Sequence, residues 1–325
     1  MKYRDVLAPL VLLCSLHAAL SQTPPPPTPA PAPTEETLTL RVASRVVALS
    51  AVVRGKDNIP VQGLTKDDFE LKQDGKDVPI RYFSEASELP LTFAILVDTS
   101  GSQRTLLSDE VLGSDVFFQT MLGRPQDRAM LLRVDAEVDE LVAMTSSPNR
   151  LHLGLLGLYS RSSTANGTRL QDAIYDVARL KLSKQTGRKA MIILSDGGDN
   201  GSRKSLDEAI HEAQQHNVQI YCIEYSVFTP GAFTSGGIGI RRSNVDEGAK
   251  ILKALAEQTG GRMYTVGKMS LRSIYEQIGS DLRTQYELGY TPPPDLKPGS
   301  FHRLELRTKD RKQIVQARNG FTFEP

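Results

Sequence analysis

The stretch Leu91–Ser102, LTFAILVDTSGS, changes character at its eighth residue. Leu91, Phe93, Ala94, Ile95, Leu96 and Val97 form an apolar run without helical period, as a strand covered on both faces of a parallel sheet requires. Asp98, Ser100 and Ser102 then alternate along an extended turn, so three side-chain oxygens converge at the strand's carboxyl end. Open α/β sheets place their ligands at that end. Two later segments add oxygens: Thr168 within Asn166-Gly167-Thr168, and Asp196 after the apolar run Ala190–Ser195. Five oxygen donors suit a hard cation, Mg²⁺ first with Mn²⁺ or Ca²⁺ as alternatives, rather than zinc.

Around this strand the chain alternates. Strands are predicted at Arg128–Asp135, Glu137–Met144, Ala190–Leu194, Val218–Tyr225 and Met263–Val266. Helices are predicted at Thr105–Leu122, Leu170–Leu182, Ser205–His216, Asp246–Thr259 and Leu271–Thr284. Leu170, Ile174, Val177 and Leu180 are expected on one buried helical face. The alternation predicts an α/β domain over residues 89–285 with a doubly wound, mostly parallel, Rossmann-like sheet.

Both flanks read differently. Short alternating runs at Leu38–Val42, Val46–Val53, Phe69–Lys72 and Val78–Phe83 are separated by Gly55, Gly63 and Asp74-Gly75. Tyr286–Tyr290, Phe301–Arg307 and Ile314–Arg318 repeat the pattern at the other end. Neither set alone makes an adequate core, so one small β-sandwich split between residues 37–88 and 286–325 is predicted, with the α/β domain inserted in it.

At the amino end, Lys2 and Arg4 precede an apolar stretch and then Ser21-Gln22, which fits a signal peptide over residues 1–21 and export to the periplasm or medium. A retained anchor is the alternative, but the stretch falls short of the ~20 residues a spanning helix needs and contains Pro9 and His17. Residues 22–36 form a proline-rich linker that favours extended polyproline II. With 39 Lys+Arg against 38 Asp+Glu, nothing points to nucleic acid or an anionic membrane. After signal removal only Cys222 remains, in an apolar setting that predicts a buried structural thiol.

Asp98-Thr-Ser100-Gly-Ser102, Gly167-Thr168-Arg-Leu170-Gln-Asp-Ala173 and Leu194-Ser-Asp196-Gly197, in this order and spacing, resemble the metal-ion-dependent adhesion site of von Willebrand factor A domains. The flanking Val61–Glu70, Asp74-Gly75-Lys76 and Leu282–Tyr290 are similar to a bacterial secreted group of proteins related to that family. The resemblance implies that Ser100, Ser102 and Thr168 bind the metal directly while Asp98 and Asp196 mostly hold its waters. It implies a protein partner that offers an acidic residue to the metal. Neutral hydroxyls leave the cation's charge only partly offset, which favours such a carboxylate.

No enzyme is expected. An aspartic-protease dyad needs a second matched loop, a phosphoryl-transfer site would want Asp at position 100, and the five histidines are scattered with no zinc or Ser-His-Asp spacing. The competing readings are a scaffold module whose metal site is empty or merely stabilising and, behind it, a metal-dependent hydrolase. Asp199 and Asn200 are expected as turn residues. The loop Phe228–Asn244 should border the metal, with Phe233, Arg241 and Arg242 as partner-binding candidates.

Overall fold

The computed structural model describes residues 46–85, 89–99, 116–158, 167–225 and 240–324, with the backbone alone described over 240–246. The predicted signal, the proline-rich linker, the Leu38–Val42 strand, most of the first helix, and residues 228–239 of the predicted metal-bordering loop lie outside these residues.

The first strands are β1 (Val47–Arg54), β2 (Phe69–Gln73), β3 (Lys76–Asp77) and β4 (Tyr82–Glu85). The inserted domain supplies β5 (Leu91–Asp98), β6 (Arg128–Val134), β7 (Val138–Thr145), β8 (Arg188–Ser195), β9 (Val218–Glu224) and β10 (Met263–Thr265). Its helices are α1, described over 116–121, α2 (Pro148–Leu158), α3 (Leu170–Asp176), α4 (Leu206–Gln215), α5 (Ile240–Thr259) and α6 (Leu271–Arg283). The chain closes with β11 (Tyr286–Tyr290), β12 (Phe301–Thr308), β13 (Ile314–Ala317) and β14 (Gly320–Thr322).

The six-stranded sheet has the order β10-β9-β8-β5-β6-β7, with β7 antiparallel at one edge and every other pairing parallel. Both faces of β5 are buried, as the apolar run requires. Phe93, Ile95 and Val97 pack with Phe117, Leu151, Leu155, Ile274 and Ile278 on one side. Ala94 and Leu96 pack with Leu170, Ile174, Ile210, Leu252 and Leu255 on the other. Each fully buried Val, Leu, Ile or Phe among them contributes about 1.5–3 kcal/mol.

The flanking strands form two four-stranded sheets, β13-β1-β11-β4 and β14-β12-β2-β3, each mixing both ends of the chain. Their facing side chains, among them Leu49, Leu71, Tyr290, Leu304 and Phe321, make one core, and Ala51, Val53, Phe69, Tyr286 and Leu288 another. The predicted split sandwich inserted by an α/β domain is the observed architecture.

Three local expectations are corrected. Val78–Phe83 is not one strand: Pro79 has no N–H for a ladder, and around it the chain crosses from β3 in one sheet to β4 in the other. Leu180 is 49% exposed, and Leu182 takes the buried place at 0%. After α3 the chain widens into a π-turn over Val177–Lys181, which holds more residues per revolution and carries the inward position past Leu180. Finally, the predicted loop residues 240–244 belong to α5.

Where the sandwich meets the insert, charges are buried. Arg54 on β1 pairs with Asp281 on α6, with side chains 4% and 0% exposed. Burial pushes the Asp281 carboxyl up to about 6 against the opposing pull of Arg54. Glu287 on β11 is pushed up to about 7 by burial, although Ser50 Oγ donates to it at 2.6 Å and Arg188, Arg318 and Lys189 attract it.

Candidate metal centre

Parallel pairing of β5 with β8 sets Val97 beside Leu194, so the next residues, Asp98 and Ser195, also meet. Ser195 Oγ donates to Asp98 Oδ2 at 2.7 Å and accepts from the Gly197 backbone at 3.0 Å. Both side chains are buried, and burying a carboxylate demands such partners. A single serine therefore ties the end of β5 to the turn that carries Asp196.

Asp196 Oδ1 accepts from the Gly198 backbone at 2.9 Å, and Gly197 has φ 81°, in the left-handed region that glycine tolerates. Helix α5 crosses directly against it at Gly248.

Thr168 sits in the loop before α3, 6% exposed. Its backbone N–H donates to Asn200 Oδ1 at 2.8 Å, and its carbonyl accepts from the Asn200 and Gly201 backbones at 3.1 Å each. Asp199 reaches the same loop, accepting from the Gln171 backbone at 2.8 Å and from Ser202 Oγ at 2.6 Å. Asp199 and Asn200 are turn residues as expected, and they also fasten the Asp196 loop to the Thr168 loop.

A residue the sequence reading assigned only to a strand end completes the frame. Asp135, 1% exposed after β6, accepts from Thr99 Oγ1 at 3.2 Å and from the Glu137 backbone at 2.9 Å, while its carbonyl accepts from the Arg169 backbone at 2.9 Å. It thus joins the Asp98 and Thr168 loops. An acidic residue closing an apolar strand beside the proposed site was the available signal.

Asp172 braces the following turn. Burial alone would push its carboxyl up, but the Lys204 and Arg203 backbone N–H groups at 2.8 and 3.0 Å and the Arg169 guanidinium at 2.6 Å outweigh it and hold it below the usual range.

Of the sequence candidates, Asp98, Thr168 and Asp196 lie on loops that these hydrogen bonds connect, at the carboxyl ends of β5 and β8 and just before α3. Ser100, Ser102 and Phe233 lie outside the described residues; Arg241 and Arg242 fall in the first turn of α5, described by backbone only. Among the described residues no group of three or more His, Cys, Asp or Glu is placed to hold a metal. Cys222 is buried, and burial pushes its thiol up, away from the reactive thiolate.

The absence of a Ser-His-Asp arrangement, inferred from spacing, needs correction. In the sandwich, Ser300 Oγ lies 2.7 Å from His302 Nε2, and His302 Nδ1 lies 2.7 Å from Asp74 Oδ2. Ser300 Oγ donates to the Lys297 carbonyl at 2.5 Å, so the hydroxyl is anchored within its own turn. The chain of bonds clasps the 297–303 hairpin to the Asp74 turn.

The model of the von Willebrand factor type A domain matches residues 94–277. No curated protein matches the sequence. Among solved structures, the chain is similar to an aerotolerance-related membrane protein from Bacteroides fragilis NCTC 9343, with 15% identity, 59% of this chain and 98% of that one covered, and a TM-score of 0.44. It is similar to the vWF domain of the type V pili tip protein Mfa5 from Porphyromonas gingivalis, with 15% identity, 59% and 94% covered, and a TM-score of 0.44. It is also similar to proximal thread matrix protein 1 from the mussel byssus, whose MIDAS motif is zinc-occupied, with 14% identity, 65% and 49% covered, and a TM-score of 0.46. Because the matched span takes in more than half of the chain and runs from β5 to α6, the protein belongs to the von Willebrand factor type A domain family.

Proposed function

We propose that this protein is a secreted or periplasmic recognition module that binds an acidic group of a partner protein through a divalent cation. Ser100, Ser102 and Thr168 are the proposed direct ligands, with Asp98 and Asp196 holding waters. Mg²⁺ is the preferred ion: the donors are all oxygens, and hydroxyls outnumber carboxylates, so a bound cation keeps charge to offer a partner's carboxylate. Phe233, Arg241 and Arg242 are proposed to contact the partner beside the ion.

The observation that carries this reading is the pair of hydrogen bonds Ser195–Asp98 and Asn200–Thr168, which connect the three loops bearing the described donors. Such bracing lowers the cost of organising a site before its ligand arrives. A scaffold role draws on the same bonds, since they join the loops directly to one another.

Calorimetric titration with Mg²⁺ separates the two readings. Wild type should bind, Ser100→Ala and Thr168→Ala should bind at least tenfold more weakly, and circular dichroism should show all three folded. A pull-down from exported proteins should then recover a partner with Mg²⁺ and lose it with chelator. Equal Mg²⁺ affinity in the three proteins would remove the metal assignment and leave the scaffold.

A further inference from the structure

Among the described residues, β10 and β13 are each the end strand of a sheet, and both line one cleft. β10 is the last strand of the six-stranded sheet and β13 the last of its sandwich sheet. A cleft of about 840 Å³ is lined by Met263 and Thr265 from β10, Val315 and Ala317 from β13, and charged side chains from α5 and the β10 flanks.

Hydrogen-bond alternation shows which backbone groups face outward. Cys222 donates to the Arg262 carbonyl at 2.9 Å and Val266 to the Glu224 carbonyl at 3.0 Å, so the ladder to β9 uses Arg262, Tyr264 and Val266. Met263 and Thr265 therefore turn their N–H and C=O groups away from β9. On β1, the Val53 carbonyl is taken by Val61 at 2.8 Å on the side opposite β13. Its partner Val315 likewise turns its groups away from β1, while the backbone of Gly260 lies against Ala317. Met263, Thr265 and Val315, whose polar backbone groups the existing ladders leave outward, are among the residues that line the cleft.

Charge selects the occupant. Lys250, Lys253, Arg262 and Lys268 line the cleft against two carboxylates, Glu224 and Glu257. Glu257 is paired with Lys253 at 3.7 Å and Glu224 accepts from Thr265 Oγ1 at 2.8 Å. Exposed Lys250 and Lys268 leave an excess of positive charge. Lysines beside an edge repel another basic strand, which disfavours pairing of this cleft with itself in a second copy.

We propose that this cleft docks an extended, acidic segment of a partner protein, which adds as a strand to one of these edges. The backbone bonds supply affinity and the lysines select alternate acidic side chains. The volume lies in the range of built binding pockets. This surface is separate from the cation loops, so its occupancy needs no metal.

The test uses the full chain in EDTA and reads fluorescence anisotropy of three labelled peptides. These are (Glu-Val)₄, (Lys-Val)₄, and (Glu-Val)₄ with alternate amides N-methylated. The expected order is binding by the first, at least tenfold weaker binding by the N-methylated form, and none by the lysine form. K250E/K268E, both at exposed positions, should weaken (Glu-Val)₄ at least tenfold without changing the melting temperature. Hydrogen exchange should slow at 263–265 or 314–317 when the peptide binds. No binding of (Glu-Val)₄, or binding indifferent to N-methylation or to the charge reversal, overturns the proposal.

Discussion

A Cβ on Gly248 would fall 2.1 Å from the carbonyl oxygen of Asp196, so helix α5 and the Asp196 turn meet backbone to backbone. Across the same contact a Cβ on Gly197 would lie 2.2 Å from the Gly248 carbonyl oxygen. Neither neighbour is a side chain able to swing aside. Gly248→Ala is therefore expected to cost about 1–3 kcal/mol, as overpacking does, and to weaken Mg²⁺ binding by displacing Asp196. Urea denaturation and calorimetric titration read the two effects; wild-type values in both would show that the helix does not position the turn.

Ser195→Ala removes the donor to Asp98 and the acceptor for Gly197 while changing little volume. Losing a hydrogen bond to a buried carboxylate costs about 1.5–3 kcal/mol. The substitution should lower the urea midpoint and also Mg²⁺ affinity. A loss of stability with unchanged affinity would confine Ser195 to the core.

The junction acids give a pH dependence of definite sign. A carboxyl whose folded pKa lies above its unfolded one binds more protons in the folded state, so its contribution is full at low pH and is lost as pH rises. For Glu287 the loss runs from about 4.5 to about 7, and for Asp281 from about 3.8 to about 6. Asp172 acts oppositely: its depressed carboxyl stabilises above the ordinary carboxylate range and the benefit disappears in stronger acid. The Glu287 part is on the order of 3 kcal/mol. Glu287→Gln should flatten the decline between pH 5 and pH 8 in urea midpoints; an unchanged slope would assign the dependence elsewhere.

Removing 301–325 takes β12, β13 and β14, leaving β2 without its long partner and β1 without one neighbour. Hydrogen exchange in β1 and β2 should accelerate to that of an unfolded chain. Retained protection there would mean that the amino-terminal strands fold without the carboxyl-terminal ones.

The parallel sheet was legible because β5, β8 and β9 are apolar on both faces, and no other element accounts for such runs ending in oxygen-bearing loops. The split sandwich was legible from alternation at both ends. Helix α2 was not: Gly154 and Gly157 weaken its local signal, and its place depends on Leu151, Leu155 and Leu158 finding the sheet. The shift from Leu180 to Leu182 follows from a π-turn that helical periodicity cannot announce. At the site, the proposed donors are oxygen-bearing residues that the sequence could display directly. The bracing roles of Ser195 and Asn200 could not be read in it, because they arise only when distant loops meet, and Asp135 offered only its place at the end of an apolar strand.

The pairing of β4 with β11, Tyr82–Glu85 against Tyr286–Gly289, holds the two ends of the inserted domain side by side. Tension applied at the ends of the described chain enters through β1 and β14 and is carried by the ladders that join β1 to β13 and β4 to β11, without traversing the insert. The loops proposed to hold the cation are thereby out of the load path until those ladders part. In an optical trap the sandwich should yield first, in a short step, and the insert should lengthen only afterwards; release of the insert before the sandwich would mean that this clasp bears no force.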